Sequence, residues 1–75
     1  MEVVIPIECD LREEEFIKKL KEFDKYPIET KVLGSTRTHY LVKIISDEKE
    51  LFYFGNNDKS RIAMDLEKYF EGNKN

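Results

Sequence analysis

The sequence predicts an α+β domain in the order β-α-β-β-β-α: a single, mostly antiparallel four-stranded sheet with two helices packed on one face. Three observations point there. Apolar residues alternate with polar ones near the N-terminus and again between residues 28 and 54, the period of strands. They recur at three- and four-residue spacing after Asp10 and after Asp58, the period of helices. The predicted strands of the middle region are joined by short turns, which favours an antiparallel meander.

Each element follows from a short stretch. In EVVIPIE, residues 2–8, Val3, Ile5 and Ile7 fall on one face and Glu2, Val4, Pro6 and Glu8 on the other. Pro6 has no N–H for a ladder, which puts this strand at a sheet edge. Asp10-Leu11-Arg12-Glu13 has capping-box spacing, with Asp10 as the helix cap. Phe16, Ile17, Leu20 and Phe23 then form one stripe, and Glu14–Lys18 and Glu15–Lys19 are spaced as i,i+4 pairs on a solvated face. Pro27 disfavours helical backbone at the residue before it and ends the helix. Residues 28–33 predict a second strand, Gly34-Ser35 a turn, and residues 37–45 a third strand. Residues 47–50 predict a polar hairpin turn and residues 51–54 a returning fourth strand. The last helix is expected from about Asp58 to Glu71, capped by Asn57 or Asp58, with Ile62, Ala63, Leu66, Tyr69 and Phe70 inward. Gly72 is a natural stop. The domain is therefore expected over residues 1–72, with 73–75 a frayed tail. By the usual chirality the first crossover is right-handed, with strand 1 parallel to strand 2 if the two pair directly.

Size and charge narrow the function classes. Seventy-five residues make one small domain, which buries only about 60% of its unfolded surface and needs an efficient core or self-association. Cys9 is the only cysteine and His39 the only histidine. An intramolecular disulfide and a standard zinc site are thereby excluded, and no metal or cofactor is expected. The unpaired thiol, the lack of a signal-peptide pattern and the lack of an apolar run of about 18 residues predict a cytoplasmic protein. A net charge of −3 argues against a chain that coats nucleic acid, which is usually basic.

No constellation in the chain reads as catalytic. His39 lacks a visible partner to act as a general base. By strand parity Cys9 points inward with Val3, Ile5 and Ile7, a buried and inert thiol. Asp47, Glu48 and Glu50 suit a polar turn. Lys59, Ser60 and Arg61 precede a helix whose N-terminal amides would suit a phosphate. A capping Asn57 or Asp58 would occupy those amides, and Asp65 lies one turn from Arg61.

Two helices cover only one face of such a sheet. If Tyr40, Val42 and Ile44 face the helices with Thr30, Val32, Phe52 and Phe54, the other face carries Glu29, Lys31, Leu33, Arg37, His39, Leu41, Lys43, Ile45, Leu51 and Tyr53. An apolar centre with a charged rim is interface anatomy. The expected function is a small non-enzymatic regulator or inhibitor that binds a protein partner, or itself as a dimer, through Arg37, His39, Leu41, Lys43 and Tyr53. Nucleic acid is the second partner class, gripped by Lys59 and Arg61 with help from Arg37 and Lys43.

Residues 11–71, in the order α-β-β-β-α, resemble double-stranded-RNA-binding domains, which grip phosphates with a basic cluster opening the last helix. Here that stretch is Lys59-Ser60-Arg61-Ile62-Ala63-Met64. Arg61 and Ala63 match the pattern, while Ser60 and Met64 stand where it has lysines. The same order resembles the HicA type of small ribonuclease toxin, whose histidine directly follows Gly-Ser. Here Thr36 follows Gly34-Ser35, and His39 comes later; the resemblance implies a third function class, a small ribonuclease toxin acting through His39. GNNDKSRIAMDLEKYFEG, residues 55–72, is similar in spacing and charge to the final helix of the DinI type of small acidic regulator, against which this chain has an extra strand.

Overall fold

A computed structural model describes residues 1–25, 27–53 and 60–73. Three strands, β1 (Glu2–Glu8), β2 (Glu29–Ser35) and β3 (His39–Ile45), form one sheet in the order β1-β3-β2. Both pairings are antiparallel. Helix α1 (Glu13–Phe23) connects β1 to β2, and helix α2 (Arg61–Tyr69) follows β3. α1 packs against β2 and α2 against β1, so both cover one face of the sheet, as the sequence predicts.

The four-stranded sheet is not formed. Residues Lys49–Phe52 make a 3₁₀ helix and Tyr53 lies beyond it; Phe54 lies outside the described residues. The register explains why. β1 pairs with β3 from Glu2↔Ile45 to Glu8↔His39, and the Ser46 N–H continues the ladder by donating to the Met1 carbonyl at 3.0 Å. β2 holds the other edge of β3. A returning strand would need the edge β1 occupies, so the chain leaves the sheet after Ser46. Leu51 and Phe52 turn half-buried side chains onto the core instead. β1 and β2 do not pair with each other; they run parallel only because both oppose β3. The missing strand also removes the α-β-β-β-α order on which the resemblance to double-stranded-RNA-binding domains and HicA toxins rests.

Pro6 sits where its missing N–H costs nothing. The Cys9 N–H donates to the Thr38 carbonyl, so odd-numbered residues of β1 bond inward to β3 and even-numbered ones face the open edge. Pro6 is even-numbered, on an edge strand. A β-bulge between Val32 and Gly34 interrupts β2.

Helix ends differ from the capping expectation. α1 begins at Glu13 with Arg12 as its N-cap and no side-chain cap bond. Asp10 is too far upstream to cap it. Leu11 packs against the core, and its carbonyl accepts the Tyr40 hydroxyl at 2.6 Å. This pins the approach as a turn and delays the helix. Glu13, Glu14 and Glu15 complement the helix dipole in the first turn. α2 begins at Arg61, three residues later than expected, and Ser60 caps it by accepting the Ala63 N–H on its hydroxyl at 3.3 Å. Asn57 and Asp58 lie outside the described residues. α2 ends at Tyr69 rather than Glu71, Phe70 is its C-cap, and Glu71–Asn73 form a 3₁₀ turn.

The core lies between the helices and the inner sheet face. Ile5, Ile7, Val42 and Ile44 from the sheet meet Phe16 and Leu20 of α1 and Ile62, Leu66 and Phe70 at α2. Phe16 is sandwiched between Tyr40, 4.0 Å away between ring centroids, and Phe70, 4.7 Å away. The Tyr69 hydroxyl donates to the Lys19 carbonyl at 2.8 Å and ties α2 to α1. Thr30 is fully buried on the inner face, and its hydroxyl donates to the Asp24 carboxylate at the end of α1. Among the described residues every buried side-chain nitrogen and oxygen has a partner, which avoids the cost of about 1–3 kcal/mol for each group left unmade.

Candidate functional site

The outer face of the sheet is built by strand alternation. On β3, Val42 and Ile44 point to the helices, so His39, Leu41, Lys43 and Ile45 point away. The register places cross-strand rows on this face. Ile45 lies between Glu2 and Glu29. Lys43 lies between Val4 and Lys31. Leu41 lies between Pro6 and the bulge at Leu33 and Gly34. His39 is opposite Glu8. The face is thus banded along the strands: acidic, basic, apolar, then mixed.

The apolar band is exposed. Leu33 keeps 53% of its surface in water and Leu41 38%; Val4, diagonal to Leu41 in the adjoining row, keeps 48%. At the rim, Lys43 reaches diagonally to Glu2 with a 3.5 Å ion pair. His39 is half-buried, and its Nδ1 lies 2.7 Å from the Thr38 hydroxyl. Thr36 organises the β2–β3 turn: its N–H donates to the His39 carbonyl, and its hydroxyl accepts the His39 N–H at 3.1 Å.

Of the residues the sequence assigns to partner binding, His39, Leu41 and Lys43 come together on one side of β3. Arg37 is exposed in the turn that precedes them. Tyr53 is 60% exposed but stands beyond the 3₁₀ helix instead of on a strand. Leu51, expected on the outer face, is half-buried against the core. The sequence reading of this face left out β1. Val4, Pro6, Glu2 and Glu8 belong to it, and the signal was the alternation in EVVIPIE itself, once β1 is placed beside β3.

The phosphate question at α2 centres on Ser60. Its hydroxyl takes the Ala63 N–H, and the Arg61 N–H donates to the Tyr53 carbonyl at 3.0 Å. Two of the amides a phosphate would use are therefore occupied. The Arg61 side chain is exposed; Lys59 lies outside the described residues.

Cys9 is buried and unpaired. Burial raises its thiol pKa, more than the hydrogen bonds from the Leu11 and Asp10 backbone lower it. A raised pKa disfavours the thiolate that nucleophilic chemistry requires. Among the described residues no three His, Cys, Asp or Glu side chains gather as a metal site, and no helix is long and apolar enough to cross a membrane. Family models, curated proteins and solved structures were all compared with this chain, and none matches it.

Proposed function

We propose that this chain is a small non-enzymatic regulator or inhibitor that binds a protein partner, or a second copy of itself, through the uncovered face of its sheet. One observation carries the reading: Leu33 and Leu41 stay exposed in one band with Pro6, and exposed Val4 extends it diagonally from the adjoining row that holds Lys31 and Lys43. An apolar centre with a charged rim suits a contact that forms and dissolves. The buried, unpaired Cys9 suits a reducing, cytoplasmic setting.

Size limits the contact. Three strands of seven residues give a flat footprint of roughly 23 by 14 Å, about 320 Å². A stable interface covers about 800 Å² on each partner. The contact is therefore transient, or it continues onto neighbouring surface such as the Arg37 turn.

Leu41→Glu tests the reading. Its side chain points away from the core, so the circular dichroism spectrum and melting temperature should stay close to wild type. Capture of a partner from nuclease-treated extract, or self-association in sedimentation, should disappear. A variant that unfolds would mean that Leu41 is core. A variant that associates as wild type does would remove the face from the proposal.

A further inference from the structure

A second surface, the edge of β2 that no strand occupies among the described residues, points to a different mode of recognition. β2 is an edge strand. The Thr30 carbonyl accepts a hydrogen bond from Lys21 Nζ at 3.3 Å, so Thr30 turns its backbone groups away from β3. By alternation Val32 does the same. Beside this edge an open groove of about 350 Å³ separates β2 from α1. Ile17, Leu20 and Val32 supply its apolar lining and Lys21 a cation, while Lys31 borders it from the strand with its side chain on the outer face. Glu13 is the acid that lines the groove, and Asp24 at its Lys21 end already pairs with Lys21 at 3.5 Å, which leaves Lys31 as the cation the edge offers to a partner.

We propose that this edge accepts an extended segment of a partner protein as a fourth strand, with the side-chain pattern apolar–acidic–apolar opposite Val32, Lys31 and Thr30. The register dictates the pattern. Residues opposite Thr30 and Val32 project to the helix side of the sheet, into the groove against Ile17 and Val32. The residue between them projects to the outer face beside Lys31, where a carboxylate is the complement. Lys21 Nζ already donates to the Thr30 carbonyl where an incoming peptide N–H would, so the new strand replaces one donor with another. Main-chain bonds supply affinity and the alternating side chains supply specificity, as in other strand additions. The site adjoins the outer face but does not depend on it.

The test is selection of random heptapeptides displayed on phage against the intact domain, followed by titration of the selected synthetic peptide by amide NMR. The proposal expects the apolar–acidic–apolar pattern to be enriched, the Thr30 and Val32 amides to shift, and Val32 hydrogen exchange to slow. Val32→Pro removes an edge N–H while leaving the β3 ladder alone, as Pro6 does on the opposite edge. It should weaken binding by about tenfold or more, the effect of one lost main-chain bond. If Val32→Pro does not fold, Lys31→Glu on the exposed outer side carries the test and should exchange the acidic preference for a basic one. The proposal is overturned if no peptide is selected, if selected peptides lack the acid, or if the shifts fall on Leu41 and Lys43 and spare the edge. Concentration-dependent protection of Val32 without peptide would identify a second copy as the occupant and also overturn it.

Discussion

Cys9, Tyr40 and Tyr69 are three weak acids that folding withdraws from water, Cys9 fully and the two tyrosines in part. Burial is the largest cause in each case, and it raises all three pKa values. Carboxylates add to this: Glu13 and Glu15 act on Tyr40, and Glu22 on Tyr69. Between the unfolded and folded pKa, the unfolded chain has released a proton that the native state keeps, so stability falls as pH rises. The loss should begin as pH passes the ordinary thiol range, about 8.5, and steepen near about 10 as the tyrosines join. Urea midpoints measured from pH 7 to pH 11 check this; a flat profile across that range would contradict it. The inward direction of Cys9 was legible from its parity with Val3, Ile5 and Ile7. The tyrosine bonds were not, because their acceptors lie 29 and 50 residues away in the chain.

At the scale of elements, apolar periodicity located both helices and the three strands, while their ends depended on tertiary contacts. Two residues test this difference. Ser60 caps α2 with a side-chain bond, so Ser60→Ala should cost about 1 kcal/mol. That corresponds to a melting temperature lower by about 4–8 °C in a domain of this size. Asp10→Ala should fall within about 0.5 kcal/mol of wild type, as a surface substitution does, although Asp10 has the better capping-box spacing. Equal losses in thermal melts of the two variants would refute the assignment of Ser60 as the only one of the pair that caps. The predicted fourth strand failed for a related reason. Leu51, Phe52 and Tyr53 have strand composition, but composition does not record that β1 already occupies the edge of β3. The same placement hid half of the candidate face, because the outer side chains of β1 join those of β3 only through the register.

At the scale of the whole molecule, stability rests on one small core in which Phe16 joins all the layers. Its ring stacks on Tyr40 of β3 and on Phe70 at the end of α2. A 75-residue domain has a total stability of roughly 4–11 kcal/mol, and removing a buried phenylalanine costs about 3–5 kcal/mol. Phe16→Ala should therefore lose about 3–5 kcal/mol, a large share of that total, and melt well below wild type, as circular dichroism would read. Phe23→Ala, at a half-buried site, should lose much less. A Phe16→Ala variant destabilised by less than about 1 kcal/mol would refute this account of the core. What the sequence by itself determined is the set of elements that obey local rules: the inward sides of β1, β3 and both helices, the edge position that Pro6 permits, and an α+β domain with helices on one face. The tertiary structure alone decided the strand order, the loss of the fourth strand, the cap of each helix and the composition of the exposed face. The physical reason is that periodicity records which side of an element is apolar, whereas strand pairing is a competition for one edge. Here β1 won that edge from more than thirty residues away, over the strand that would have followed β3 directly.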